Sequence, residues 1–169
     1  RRPRRQAQET PGVVTPVLDL QRPRVELVPD YVSSAGDEAV DLAAMAGLHL
    51  DDWQAIVLRH ALGERADGKW AAFEIGLNVG RQNGKNAILE ARELAGLFIL
   101  DEQLIVHTAH EFATASESMR RLEDRIRDTP ELWSRVKSVK HAHGEEGIEL
   151  KSGQRIRFRT RTKGGGRGF

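Results

Sequence analysis

Gly80-Arg81-Gln82-Asn83-Gly84-Lys85 is the stretch that decides the fold, because of what flanks it. Before it, residues 70–79 read WAAFEIGLNV, a mostly apolar run with β-formers that predicts a buried strand ending in a glycine-rich turn. After it, residues 86–100 place Ile88, Ala91, Leu94, Ala95 and Phe98 at three- and four-residue spacing, which predicts an amphipathic helix. A strand that runs through a glycine loop into a helix leaves unpaired backbone N–H groups at the positive end of the helix dipole, a setting that favours an anion. The phosphate-binding pattern G-x-x-x-x-G-K-[ST] is met in part: Gly84-Lys85 fits, Gly80 falls one place late with Val79 in the first glycine's position, and Asn86 replaces Ser or Thr. The expectation is a P-loop of Walker A type. The backbone from Gln82 to Asn86 would cradle the phosphates, Lys85 would reach the β- and γ-phosphates, and Asn86 would offer Mg²⁺ a carbonyl oxygen in place of the hydroxyl. An ordinary glycine turn with a solvated lysine is the competing reading.

Strand, loop and helix recur further along. Residues 103–108, QLIVHT, predict a second short strand, and Ala115, Met119, Leu122 and Ile126 line one face of a charged helix after it. This βαβα order predicts an α/β fold, a mainly parallel sheet of P-loop NTPase type flanked by helices. Upstream, residues 36–46 form a helix stopped by Gly47, and residues 50–62 form another whose start is marked by Asp51 and Asp52. Thr129-Pro130 restarts a short helix. From Lys137 the pattern changes to alternation, with Val139, Ile148, Leu150, Ile156 and Phe158 separated by charged residues, and Lys151-Ser152-Gly153 predicts the turn of an antiparallel hairpin near the C-terminus.

Composition narrows the class. With 39% hydrophobic and 30% charged residues the 169-residue chain matches an ordinary globular domain, and with no cysteine it has neither disulfides nor a thiolate site. No apolar run reaches the roughly 18 residues that suggest a membrane span. The net charge of +1 hides a segregation: residues 1–24 carry +4, residues 151–169 carry +7, and the middle carries the compensating acids. Residues 1–24, rich in Arg and Pro, read as a flexible basic arm, and residues 25–169 as the domain. Arg155, Arg157, Arg159 and Arg161 alternate so strictly that all four guanidinium groups are expected on one face of a strand. That row could track a DNA backbone, pair with the acidic middle of the chain, or meet a neighbouring subunit.

Within the loop the residues resemble a known family. Gly80-Arg81-Gln82-Asn83-Gly84-Lys85 is similar to the variant P-loop of the large terminase subunits of tailed bacteriophages, the motors that package DNA. Asp52-Trp53-Gln54 resembles that family's adenine-recognising glutamine motif, residues 103–115 its second strand and following loop, and residues 161–169, RTKGGGRGF, the run before its acidic Walker B strand. The resemblance spans about residues 25–169 and implies an ATPase that couples ATP hydrolysis, with Mg²⁺, to translocation of double-stranded DNA into a procapsid. It implies Lys85 and Arg81 as catalytic groups, with Arg81 on the charge of the departing γ-phosphoryl, and Trp53, Gln54 and residues 80–86 as ATP contacts. Its implied partners are double-stranded DNA, a small terminase subunit and a portal ring, with a homo-oligomeric ring in the full motor, in the cytoplasm of the bacterial host. The Asp-Glu strand that holds Mg²⁺ and orients water, and the carboxylate cluster of the nuclease domain, have no counterpart in the 169 residues. The domain therefore reads as the N-terminal part of such an ATPase, expected to bind nucleotide without the full hydrolytic machinery.

A second reading is a nucleic-acid-binding or assembly module with a degenerate loop and no ATPase activity, its function carried by the cationic ends. A helicase-like ATPase would share the glutamine and the loop but keeps the hydroxyl that Asn86 replaces. His141 and His143, two apart on a predicted strand, could chelate a metal only with a third ligand, and none is evident nearby. His107 and His110 fall near the expected phosphate end of the second strand, where a phosphate-sensing polar residue could sit, although ordinary polar loop residues are the preferred reading. Glu117 and Arg121 are spaced for an ion pair on a wet helix face.

Overall fold

The computed structural model describes residues 23–142 and 144–161. After an extended entry, strand β1 (Ser33–Ser34) leads into helix α1 (Gly36–Met45), helix α2 (Asp52–Ala61) and strand β2 (Gly63–Glu64), which pairs antiparallel with β1. The stop after α1 is chemical: Gly47 takes φ 74°, its N–H donates to the Ala44 carbonyl, and the Leu48 N–H donates to the Ala43 carbonyl. These bonds satisfy carbonyls that the helix end leaves open. Helix α2 starts where Asp51 precedes it, with the Asp51 N–H donating to Gln54 Oε1 at 2.8 Å.

Helix α3 (Lys85–Phe98) is the spine of the molecule. One of its faces, Ile88, Ala91 and Ala95, packs with Ala39 and Ala43 of α1 and Leu58 of α2. The adjoining face, Leu94, Leu97 and Phe98, joins a second cluster with Met119, Leu122 and Ile126 of helix α4 (Phe112–Asp128) and with Ile148, Leu150, Ile156 and Phe158 of the sheet. A helix that contributes a broad apolar arc to two packed clusters is held by both, so whatever is attached to its first turn is firmly placed.

Strand β3 (Leu104–Ala109) follows α3. A short helix, α5 (Pro130–Trp133), follows α4 and leads to β4 (Val136–Lys140), β5 (Gly147–Leu150) and β6 (Arg155–Thr160). The sheet order is β3-β6-β5-β4. Strand β3 runs parallel to β6, with Ile105 opposite Ile156 and His107 opposite Phe158, while β5 is antiparallel to both β6 and β4. Helices α3 and α4 cover one face.

Two expectations are corrected here. The sheet is mixed rather than mainly parallel: β4, β5 and β6 are joined by short connections, which set antiparallel pairing, whereas β3 is followed by α4 and α5, which lead to β4 at the far edge, and two reversals then bring β6 back parallel beside β3. The C-terminal hairpin is present as expected, turning at residues 151–153. Residues 70–79 do not form the predicted buried strand. Beyond an isolated bridge between Glu64 and Trp70 they are irregular and have no ladder partners, and Phe73, Ile75 and Leu77 are exposed. β-formers make a strand only where a neighbour accepts their backbone hydrogen bonds, and no described strand pairs with this segment. Residues 1–22, most of the expected basic arm, lie outside the described residues, as do His143 and residues 162–169 with their glycine run. Among the described residues no helix is long and apolar enough to cross a membrane.

Candidate functional site

The loop ahead of α3 is built from left-handed residues. Gln82 has φ 62° and Gly84 φ 72°. For glycine that conformation costs nothing, but for a residue with a side chain it costs about 1 kcal/mol, so Gln82 holds local strain of the kind that accumulates at ligand sites. Gly84 is the cap from which α3 starts, and Lys85 is the first helical residue. Gly80, Arg81, Gln82, Asn83, Gly84 and Asn86 are exposed and Lys85 is half-buried. The loop that the sequence picks out is therefore an open surface at a helix N-terminus.

This loop forms one wall of a cleft of about 510 Å³. Gln82, Gly84, Lys85, Asn86 and Ala87 line it from the loop side, Leu48 from the turn after α1, and Glu90, Arg121 and Arg125 from the facing helical surfaces. Arg125 is committed: its Nε donates to Glu90 Oε2 at 2.8 Å and its Nη1 to the Gly47 carbonyl at 3.1 Å. Arg121 pairs with Glu117 at 3.0 Å, as its spacing predicts, on an exposed helix face. Three cations thus face one carboxylate around a helix N-terminus, an electrostatic setting for a polyanion. The sequence reading of α4 as a wet face missed the two arginines' place in this wall. Their four-residue spacing puts them on one face, but which face meets the loop is set by how α4 packs on α3.

Gln54 is buried, 4% exposed, with its amide nitrogen donating to the Gly84 carbonyl at 3.0 Å. Trp53 is half-buried and packs against the α1–α2–α3 cluster. The loop and Gln54 are thus brought together, whereas the arginine row is elsewhere. Because Ile156 and Phe158 enter the core, Arg155, Arg157 and Arg159 occupy the other face of β6, and Arg161 lies just past the strand. Arg157 Nη1 donates to the Glu145 carbonyl at 2.8 Å, and Arg159 is half-buried with its Nε unpartnered.

The histidines fall differently from their expected places. His107 is inside β3 and its Nδ1 meets Glu93 Oε1 of α3, while His110 is exposed beyond the strand. His141 lies past the end of β4, with its Nε2 3.4 Å from Glu123 Oε2. Among the described residues no group of three or more His, Asp or Glu is placed to hold a metal.

The fold defines a mixed α/β class, with the glycine loop opening its central helix. Within that class it is similar to a phage protein: the crystal structure of the HK97 bacteriophage large terminase matches with a TM-score of 0.62 at 15% identity, over 75% of this chain and 27% of that chain. At that identity the likeness is one of fold, and this chain spans about a quarter of that terminase's length. No family model and no curated protein sequence matches.

Proposed function

We propose that this chain is the ATP-binding part of a DNA-packaging motor of the large-terminase kind, with residues 80–86 as its phosphate loop. The observation that carries the reading is the loop itself: a strained, exposed turn capping α3, facing a cleft shared with Lys85, Arg121 and Arg125, in a fold similar to a large terminase. Lys85 holds the β- and γ-phosphates as a mobile point charge, and the backbone N–H groups of the first turn of α3 hold the oxygens between them. Arg81, exposed in the loop, reaches charge developing on the γ-phosphoryl oxygens.

The residues present fit a triphosphate better than they fit a metal. Asn86 places a side-chain carbonyl oxygen where the usual motif has a hydroxyl, so it would offer Mg²⁺ a weak ligand, and a bound Mg²⁺ would supply charge neutralisation to the phosphates. In this reading the protein acts on double-stranded DNA in the cytoplasm of the bacterial host. Its partners are a small terminase subunit, a portal ring and further copies of itself.

Calorimetric titration of Mg²⁺-ATP into the protein and into Lys85→Ala tests the reading. Binding by the native chain that is abolished or weakened at least about tenfold in the variant supports it, since a charged phosphate contact is worth about 1.5–3 kcal/mol. Binding that survives the substitution, or no binding to either protein, removes it.

A further inference from the structure

The side chain of Gln54 points to a role different from the one its motif implies. Its Oε1 accepts the Asp51 N–H at 2.8 Å and its Nε2 donates to the Gly84 carbonyl at 3.0 Å. The orientation of the amide is fixed by these partners, since a backbone N–H can only donate and a carbonyl can only accept. A carboxamide that reads a base must present its oxygen and an N–H side by side to one edge of the ring. Here the oxygen is turned to α2, the nitrogen to the loop, and the residue is buried.

The Gly84 carbonyl is an informative target. It also accepts the Ala87 N–H at 3.0 Å, so it is held on the helix side by two donors. The peptide joining Gly84 to Lys85 is planar and trans, which sets its N–H antiparallel to its carbonyl. Holding the oxygen inward therefore aims the Lys85 N–H outward, away from the helix and along the direction an anion at the helix N-terminus occupies. The same contact explains why position 84 is glycine twice over. Its φ of 72° disfavours a side chain, and a Cβ there would come within 2.7 Å of Gln54 Nε2.

We propose that Gln54 is a positioning residue for the phosphate loop, clamping the Gly84 peptide so that the first-turn amides of α3 face the phosphates, and that it does not read the adenine. The inference rests on the phosphate-loop reading above. It predicts that Gln54 matters equally for every ligand that carries the phosphates, with or without a base.

Gln54→Glu separates the two roles. It keeps an acceptor for the Asp51 N–H at a helix start that favours negative charge, and removes the donor to Gly84. In the ligand-free chain, hydrogen exchange of the Ala87 amide should quicken about tenfold relative to amides in the middle of α2, the effect of losing one buried hydrogen bond. Titration with inorganic tripolyphosphate, ATP and GTP should show all three weakened by one common factor, with the preference between ATP and GTP unchanged. Loss of ATP affinity with tripolyphosphate binding intact would show a base reader and overturn the proposal, as would unchanged affinities or unchanged exchange at Ala87. A native chain that takes up neither tripolyphosphate nor ATP instead overturns the phosphate-loop reading, and the exchange measurement then decides by itself whether Gln54 holds Gly84.

Discussion

Glu93 Oε1 of α3 and His107 Nδ1 of β3 lie 2.5 Å apart between the helix layer and the sheet, with the imidazole 5.0 Å from the Phe158 ring. Both side chains are nearly buried, and Glu93 Oε2 has no hydrogen-bond partner. Burial is the dominant influence on this carboxyl and pushes its pKa above the ordinary 4.5, against the opposing pull of the His107 hydrogen bond and charge. The pair ties the spine helix to β3, the edge strand that pairs parallel with β6.

The raised pKa has a defined sign. In the window above 4.5 the folded chain keeps a proton on Glu93 that the unfolded chain has lost, so the contribution of this group to stability is greatest below 4.5 and declines as pH rises through the window. Glu93→Gln removes the decline while leaving a polar partner for His107. Urea unfolding between about pH 4 and about pH 7 should show the variant gaining on the native protein as pH rises. Parallel stability curves would show that the burial of Glu93 carries no proton linkage.

Glu149 should behave in the opposite sense. Lys137 Nζ donates to its Oε1 at 2.7 Å across the β4–β5 pair, and that hydrogen bond, with the lysine's charge, holds its pKa below the ordinary value. Its contribution is present above 4.5 and disappears as pH falls through the lowered value. Glu149→Gln should therefore lose less stability on acidification than the native chain, and because the pair is on the surface, the difference should shrink in about 1 M salt. A difference that persists at high salt would contradict a surface pair.

Gly147 is required by a close approach of backbones. A Cβ there would lie 2.1 Å from the Ile156 carbonyl oxygen on the neighbouring strand, and no side-chain rotation relieves a clash with backbone. Gly147→Ala should cost about 2–3 kcal/mol in chemical denaturation, at the upper part of the range for overpacking. Gly47→Ala meets no atom within 4 Å and is penalised only for its left-handed φ of 74°, about 1–2 kcal/mol. Equal losses at the two sites would mean that the β5–β6 ladder shifts to make room.

How much of this was legible in the sequence follows from the range of each interaction. The four long helices are local: Asp51 and Gly47 mark ends, and the spacing of Ile88, Ala91 and Ala95 or of Met119, Leu122 and Ile126 marks faces, so they stand within a residue or two of where the pattern places them. Residues 70–79 depart from their pattern because a strand depends on its partner, which periodicity does not report. The sheet departs from the parallel expectation because strand direction is set by the length of the connections. At the site, the loop was legible from its glycines and lysine. The direction of the Gln54 amide, the place of Arg121 and Arg125 in the cleft wall, and the meeting of Glu93 with His107 depend on how elements pack, and spacing along the chain carries no trace of them.

The outer face of β6 supplies a test of the DNA part of the proposal. Arg157 is anchored to the Glu145 carbonyl and Arg159 is half-buried, whereas Arg155 is exposed. Glu149, which stands opposite Arg155 in the ladder, is engaged by Lys137. Arg155 is therefore the member of the row within β6 whose charge is most available to a phosphate, with Arg161 exposed just past the strand. If this face tracks duplex DNA, Arg155→Ala should weaken binding to unrelated duplexes alike and lower the slope of log affinity against log salt by about 1, as expected when a single phosphate is no longer neutralised. Its exposed side chain is outside the core, so stability in thermal unfolding should be unchanged within about 0.5 kcal/mol. An unchanged salt slope with folding intact would move DNA off this face and leave the row to pair with acidic protein surface.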